Sequence, residues 1–542
     1  MKAICQTGSF EAFSMYNAIY VDKTELIYSL VSLPNRIFIS RPRRFGKSLT
    51  LDTIATLFET GVEPYFKGTW IYIKWTEPTY PVLRLNFLNF DKNSLEKFNN
   101  KLNSKITEFA ELNHVTSYKE KEEAEDSIDH LLEQLRLEGR QIVILIDEYD
   151  CQMTANINNE TLYKQFQEKI KSFYANIKDK FAIKFLGITG VTRLKDVSIF
   201  SVGSDINDIT NASAYSQMIG FTRDEIKKYY IDYLKLASSY ENNCSVDDVT
   251  DTQLESMLDM MAQNYDGYCF DEDYEKKVFS TWSVNKFFQT MIEKKKVQFG
   301  EYWYDNGGLP SILVNYLKTH ELNIFEYLDK DKFLKVSSDD FKNPTALTTI
   351  NQNVLMCQTG YLTLRSDLNK TSTVALGIPN GEIYKALNRL LANNIFKGNT
   401  DITDDYGRSL LEVGTVDDII NLFNSALNSV SYDNYPIVSE SSVQNMLKLY
   451  LLGAHQEVLS EVHEAKGRAD LVVNTDNRRI VFEFKYAKNE AEAKSKLSEA
   501  VEQIKTRDYG NILPKKNELI RIAAVFNADP KVRAFTENQI VP

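Results

Sequence analysis

Phe38-Ile-Ser-Arg-Pro-Arg-Arg-Phe-Gly-Lys-Ser-Leu49 is the stretch on which the fold turns. It begins in a short apolar run, residues 35–40, of the kind a buried strand needs. Beyond it Leu51, Ile54 and Phe58 recur at helical spacing, with Gly61 as a stop. The order is strand, turn, helix, and the Gly-Lys-Ser in the turn is the core of a P-loop, with Arg41 where the usual first glycine would stand. In that reading the backbone N–H groups through Arg43, Arg44, Phe45, Gly46, Lys47, Ser48 and Leu49 cradle phosphate oxygens at a helix N-terminus. Lys47 reaches the β- and γ-phosphates of ATP, the Ser48 hydroxyl ligates Mg²⁺, and Gly46 lets the backbone approach closely.

Working outward, a second acidic strand end lies about 100 residues on: Ile142–Ile146 run into Asp147-Glu148. A continuous apolar run of this kind suits a strand buried on both faces of a parallel sheet. Asp147 would share the Mg²⁺ with Ser48, and Glu148 is placed to polarise the attacking water. Further strands are expected at 81–87 and 181–190, and helical stretches at 93–139 and 160–178, so strands alternate with helices as in an α/β fold. The charged run KEKEEAED inside 93–139 reads as a solvated face or loop tip. Thr189, at the end of the 181–190 strand, could sense the γ-phosphate. Arg193 could supply positive charge to the transition state or serve only in the turn.

From about residue 221 the pattern changes. Residues 222–335 read as mostly helical, with aromatic clusters, and 336–435 as mixed, where NVLMCQTGYLTL is a helix or strand running into a hairpin. From about 436 a third pattern begins. Val443, Met446, Leu447, Tyr450 and Leu451 make one helical stripe, RADLVV and RIVFEFKY a hairpin, Ala493, Leu497, Ala500, Val501 and Ile504 a second stripe, and LIRIAAVF a final strand. The expected organisation is a P-loop NTPase sheet with flanking helices (1–220), a mostly helical or mixed middle region (221–435) and a compact C-terminal α/β domain (436–542).

The C-terminal domain carries a second constellation. Asp470 follows Gly-Arg-Ala, and Glu483-Phe484-Lys485 begins 13 residues later. Alternate residues of a strand share a face, so Glu483 and Lys485 point the same way, and a hairpin brings Asp470 beside Glu483. Two carboxylates there form an oxygen-rich Mg²⁺ site, with Lys485 to orient or deprotonate a water that attacks a phosphodiester. A charged hairpin could show the same pattern by chance. Glu461, nine residues before Asp470, and Gln503 on the following helix are further candidates. Glu440, at the start of the first helix, is either another metal ligand or part of a helix cap.

The stretches YVDKTELI (20–27), FISRPRRFGKSL (38–49), VILIDEYD (143–150) and GITGVTRLKDVSIFSVGSDINDIT (187–210) resemble the AAA-ATPase-like family of bacterial proteins. GFTRDEI, YDGYCF, WYDNGGLP and QTGYLTL match its pattern as well. The resemblance covers most of the chain. It implies that Arg41 in place of glycine is the family's habit, and that the C-terminal domain is of the PD-(D/E)XK, restriction-endonuclease-like type. In such nucleases an acidic residue like Glu461 precedes the GRxD turn, and a polar side chain like Gln503 sits on the next helix. A ring-forming unfoldase is not implied.

Composition narrows the classes. The chain has 542 residues, enough for several domains, and a formal charge of −12, against a protein coated in basic residues for nucleic acid. Residues 461–542 are more balanced, with 15 basic and 13 acidic side chains, so a DNA-binding surface fits there best. Five scattered cysteines suggest neither a disulfide framework nor a zinc cluster. The first 20 residues hold no apolar signal core, and no run of about 18 apolar residues spans a membrane, so a cytoplasmic protein is expected. The leading expectation is an ATP-binding, ATP-hydrolysing protein coupled to a Mg²⁺-dependent nuclease acting on DNA. The alternative is a nucleotide-dependent switch or scaffold, with homo-oligomer formation on ATP as one form, whose C-terminal domain binds nucleic acid or a partner without cutting. A mononucleotide kinase fits poorly, since no phosphate-acceptor site is legible in the middle region.

Overall fold

The structure is a computed structural model that describes residues 1–33, 35–178, 180–194, 206–303, 311–317, 320, 324–344, 346–396, 406–454, 456–464, 467–510 and 518–542. The chain divides into two compact units, Met1–His320 with Phe333–Ile383, and Glu321–Lys332 with Tyr384–Pro542. Most of the residues between 221 and 383, set apart in the sequence by their pattern, therefore pack in the same unit as the P-loop.

The first unit is built on a five-stranded parallel sheet. Its strands are β1 (Asn35–Ser40), β2 (Val82–Asn86), β3 (Ile142–Asp147), β4 (Ile183–Gly190) and β5 (Asn207–Asp208), in the order β2-β3-β4-β1-β5. β3 and β4 are buried along their whole length, as the unbroken apolar runs required. The register pairs Ile39 with Thr189 and Ile146 with Ile188, so β1, β3 and β4 end at one edge. Ligands bind at that carboxyl edge in open α/β sheets. The helix Lys47–Thr60 follows β1, buries Leu51, Ile54 and Phe58, and ends against Gly61. The polar stretch 93–139 proves to be two helices, Leu95–Leu112 and Ala124–Leu137, separated at the acidic run. The end of that run, Glu125 and Asp126, falls in the first turn of the second helix, where the helix dipole favours carboxylates.

The rest of this unit is helical, including Arg223–Tyr229, Ile231–Asn242, Asp251–Tyr265 and Thr281–Lys294, which close around Leu234, Met257, Phe287 and Phe288. The segment around QTGYLTL is a helix, Gln352–Gln358, that runs into a small antiparallel sheet of β6 (Leu334–Ser337), β7 (Thr363–Leu364) and β8 (Thr373–Gly377). Of the family-like stretches, residues 195–205 and 304–310 lie outside the described residues.

In the second unit the helix Glu440–Gly453 buries the predicted stripe. A five-stranded mixed sheet follows: β9 (Glu457–Glu464), β10 (Gly467–Asn474), β11 (Arg478–Ala487), β12 (Glu518–Asn527) and β13 (Ala534–Ile540), in the order β13-β12-β11-β10-β9. The hairpin is β10 antiparallel to β11, and β12 lies parallel to β11. The helix Glu490–Arg507 makes the crossover that parallel pairing demands. Its Ala500, Val501 and Ile504 pack on Val472, Val481 and Ala523. β9 and β13, the two edge strands, were not read from the sequence. Their alternation is diluted by polar residues, as edges commonly are.

Candidate functional site

A loop that offers its N–H groups to an anion must turn its carbonyls away, and each buried carbonyl then needs a donor. In the P-loop these donors are identifiable. The Lys47 ammonium donates to the carbonyls of Arg41 (2.8 Å) and Pro42 (3.2 Å). The Trp303 indole N–H donates to the Arg43 carbonyl at 3.2 Å, and the Thr281 hydroxyl to that of Arg44 at 3.0 Å. Glu382 holds this brace from behind, accepting from the Trp303 backbone N–H (2.8 Å) and the Ser283 hydroxyl (2.7 Å). Gly46, at φ +105°, turns the chain into the helix Lys47–Thr60, and Arg44 precedes it at φ +70°. The Arg44 guanidinium lies 4.0 Å from the centre of the Trp282 ring.

The aromatic motifs of the middle region pack against the same loop. Phe45 meets Tyr268 edge-on, with ring centroids 4.7 Å apart, and also Phe270. Gly360 sits against Pro42 at φ +94°, where a Cβ would come within 2.8 Å of the Pro42 side chain. Gly360→Ala is therefore expected to destabilise the protein by about 1–3 kcal/mol. It should also weaken nucleotide binding, although the position is more than 300 residues from the loop in sequence. Thermal melting and an ATP binding isotherm measure the two effects; an unchanged isotherm would refute the second.

The acid strand faces this loop. Ser48 Oγ donates to Asp147 Oδ2 at 2.6 Å, Thr189 Oγ1 donates to Asp147 Oδ1, and the Asn86 amide lies 3.3 Å from Oδ2. β4 lies between β1 and β3, which is why Thr189 reaches Asp147. Asn86, at the end of β2, was missed because one asparagine after an alternating strand carries no signal. Glu148 takes φ +54°, and its carboxylate lies 3.7 Å from the Lys47 ammonium. Burial pushes the Glu148 carboxyl up; Lys47 opposes this, and Asp150 and Asp147 add to it. Asp150 is spent on structure, accepting from the Thr192 backbone N–H at 2.7 Å and from its hydroxyl.

A cavity of about 470 Å³ opens over the loop, lined by Arg43 through Thr50, by Glu148 and by the segments Cys5–Gly8, Ile19–Val21 and Met218–Phe221. Arg193 does not line it. It pairs with Asp208 and borders a smaller cavity beside Arg41. Arg41 is wholly buried, donates to the carbonyls of Ser40 (2.9 Å) and Thr210 (2.6 Å), and stacks on Phe270. Burial lowers its pKa to about 9. Through these hydrogen bonds it ties the end of β1 to the segment that follows β5.

In the second unit the register pairs Leu471 with Phe482, which brings Asp470 level with Glu483. Asp470 Oδ2 accepts the Phe484 backbone N–H at 2.8 Å, and the Gln444 side chain holds the Asp470 carbonyl. Lys485 donates to Glu483 Oε1 at 3.0 Å and to Glu440 Oε1 at 3.2 Å. Glu440 thus joins the cluster through the lysine, while Ser439 and Ser442 make the helix cap. Glu483 is fully buried and its Oε2 has no hydrogen-bond partner among the described residues, an oxygen that fits a divalent cation. Burial and the Asp470 charge push the Glu483 pKa to about 7, against the pull of Lys485. Burial also raises Asp470. For Lys485 burial acts downward, but Glu483 outweighs it and the pKa rises.

Gln503 lies within 3.4 Å of the Tyr509 hydroxyl, to which Arg507 donates at 2.9 Å. Arg507, which the sequence reading passed over, feels the charges of Glu483 and Asp470 and packs beside Gly467. Glu461 lies on β9, but its side chain is outside the described residues. Among the described residues no group of three or more His, Cys, Asp or Glu side chains is arranged to hold a metal ion; in this hairpin Asp470 and Glu483 are the two candidate ligands whose side chains are described.

Glu483 makes stability depend on pH in the absence of divalent ions. Its folded-state pKa lies above the ordinary carboxyl value of 4.5, so the folded state binds the proton more tightly. Stability is greatest below pH 4.5, as far as this group is concerned, and falls as pH rises towards 7. Glu483→Gln should remove this component, on the order of 3 kcal/mol at pH 8. Denaturant melts of both proteins in chelator, across this pH range, test it; parallel pH profiles would refute it.

The first unit is a P-loop α/β fold, and the second a mixed sheet with a carboxylate–lysine strand. Residues 5–200 match the family described as "Predicted AAA-ATPase" (AAA-ATPase-like), and residues 438–536 match the PD-(D/E)XK nuclease superfamily. The chain thus carries an AAA-ATPase-like domain and, after it, a PD-(D/E)XK nuclease-superfamily domain. A curated relative, the "uncharacterized protein in vnfD 5'region" of Azotobacter chroococcum mcd 1, is 26% identical over 529 residues, covering 94% of this chain and 93% of its own. Similar solved structures include Cdc6p from Pyrobaculum aerophilum, with 10% identity, coverage of 68% of this chain and 92% of that one, and TM-score 0.24. The Aeropyrum pernix ORC2 protein in ADPNP–ADP complexes has 10% identity, 68% and 91% coverage, and TM-score 0.28. These structural likenesses are too distant to bear on function. Among the described residues no helix is long and apolar enough to cross a membrane.

Proposed function

We propose that the protein is an ATP-regulated nuclease that binds and hydrolyses ATP at the P-loop and cleaves DNA, with Mg²⁺, at the β10–β11 hairpin. The observation that carries the nucleotide half is the meeting of Ser48 and Asp147 at 2.6 Å, two hard oxygens beside a loop whose Arg41, Pro42, Arg43 and Arg44 carbonyls are each taken up by a donor. Lys47 answers the β- and γ-phosphates, Glu148 orients the attacking water, and Thr189 fixes Asp147. Mg²⁺, when bound between Ser48 and Asp147, supplies charge for the phosphate oxygens.

The nuclease half rests on Asp470, Glu483 and Lys485 converging on one sheet face. Lys485, hydrogen-bonded to Glu483, orients a water towards a phosphodiester, and the buried free oxygen of Glu483 offers a metal its place. The division of labour we assign is nucleotide binding to residues 1–220, bracing of the P-loop to much of 221–435, and cleavage to 436–542.

The experiment is a cleavage assay of the full chain on single- and double-stranded DNA and on RNA, with and without Mg²⁺ and ATP. Mg²⁺-dependent cutting that responds to ATP is expected. ATP turnover with DNA binding but no cutting of any substrate would favour a nucleotide-dependent switch instead. The absence of a three-carboxylate group among the described residues is the observation on that side.

A further inference from the structure

Beside the carboxylates of the β10–β11 hairpin stands a cation, Arg507, that among the described residues is paired with neither of them. The register that pairs Val472 with Val481 sets Asp470 and Glu483 on one face of the sheet, and the helix Glu490–Arg507 packs over that face through Ala500, Val501 and Ile504. Gln503 and Arg507, one turn apart, lie on one side of this helix. Both reach the Tyr509 hydroxyl, Gln503 within 3.4 Å and Arg507 with a bond of 2.9 Å.

The mount of Arg507 is rigid. The Tyr509 ring is wholly buried in the same core as Val472 and Val481. Its backbone carbonyl accepts from Arg521 Nε at 2.6 Å, and a second nitrogen of Arg521 donates to Asp508 at 2.7 Å. The Arg507 stem runs past Gly467, where a Cβ would come within 2.5 Å of the arginine Cδ and push the stem aside. Gly467 opens β10, and Asp470 follows about 10 Å further along the extended strand. The Tyr509 bond first, and after it the charges of Glu483 and Asp470, hold the guanidinium in its charged form. Arg507 is exposed, and its bond to Tyr509 leaves most of its five N–H donors open to a ligand. A helix C-terminus favours any cation in its last turn, and Lys505 fills that role as well. Among the described residues Lys505 has no such mount.

We propose that Arg507 is a phosphate anchor for DNA, binding the backbone phosphate next to the one that enters the Asp470–Glu483 site. This rests on the reading of the hairpin as a nuclease site. The planar fork of a guanidinium matches two phosphate oxygens, and fixing it beforehand on Tyr509 reduces the rotamer freedom that binding would otherwise cost. Two carboxylates repel a polyanion, and the chain as a whole carries −12, so a cation placed here has a polyanion to hold in register.

The test is fluorescence anisotropy of a labelled DNA duplex with the full chain in chelator, where Mg²⁺-dependent cleavage is off, over a range of salt. The wild-type protein, Arg507→Ala, Tyr509→Phe and Lys505→Ala are compared, with thermal melting to confirm folding. Arg507→Ala should weaken binding about tenfold and make the slope of log Kd against log salt shallower by about 1, the signature of one lost phosphate contact. Tyr509→Phe keeps the charge but frees the side chain, so the slope should stay while binding weakens about threefold. Lys505→Ala should change neither. Wild-type affinity and slope in Arg507→Ala, or an equal loss in Lys505→Ala, would overturn the assignment; Mg²⁺-dependent cleavage by wild-type protein and its loss in Asp470→Asn, measured alongside, would then show that the nuclease reading stands without it. If the wild-type protein binds no DNA even at low salt, both fall.

Discussion

Lys47→Ala is expected to lower ATP turnover by about 10²–10³-fold, the size of effect seen when one preorganised donor to a developing charge is removed. The ammonium sits inside the loop, buried, within 3.7 Å of Glu148 and bonded to the Arg41 and Pro42 carbonyls. It satisfies the loop's carbonyls and, in the proposed function, also neutralises phosphate. Alanine leaves both carbonyls without this donor, so some loss of stability, about 1–3 kcal/mol, accompanies the loss of turnover. Glu148→Gln separates the two. It removes the carboxylate to which the proposed function gives the attacking water while Lys47 keeps its carbonyls, so turnover should fall with binding retained. Steady-state phosphate release and binding isotherms for the two variants make the comparison. Undiminished turnover in Lys47→Ala would remove the P-loop from the chemistry.

The second large effect belongs to the other unit. Asp470→Asn and Lys485→Ala should each reduce Mg²⁺-dependent DNA cleavage by about 10²–10³-fold and leave ATP turnover unchanged. Asp470→Asn keeps the shape of the side chain and its bond from the Phe484 N–H but removes the charge a metal needs. Lys485→Ala takes away the ion-pair partner of a buried Glu483. Breaking a buried pair in this way commonly costs about 3–5 kcal/mol. Here the penalty is limited, because Glu483 already titrates at about 7 and can take up a proton instead. Lys485→Ala should consequently fold, most readily at mildly acidic pH. Cleavage by either variant at the wild-type rate would show that the hairpin is a binding surface and not a nuclease.

Much of both sites was legible because their information is local. Gly46-Lys47-Ser48 between an apolar run and a helical stripe, Asp147-Glu148 at the end of a second apolar run, and Glu483-Phe484-Lys485 at strand spacing each depend on a few neighbouring residues. The structure brings Ser48 to Asp147 and Lys485 to Glu483 as those spacings required. Other residues took different places. Arg193 turns to Asp208, and Gln503 lies beside Tyr509. A charged or polar side chain near a motif has many partners available, and only packing chooses among them. The Lys23 of YVDKTELI is an example: it joins Glu225 of GFTRDEI and the Gln217 carbonyl, and so serves as scaffolding.

By itself the sequence determined that the chain carries a P-loop sheet and, after it, a carboxylate–lysine hairpin. Period-two and period-3.6 patterns with short motifs are set by adjacent residues and need no knowledge of the rest. Only the tertiary structure decided that β4 lies between the lysine strand and the acid strand, so that Thr189 holds Asp147. It alone decided that Thr281 and Trp303, 237 and 260 residues away from their partners, supply donors to the loop's carbonyls. These pairings answer the demand that every buried polar group find a partner, and no periodicity along the chain says which distant residue will meet it.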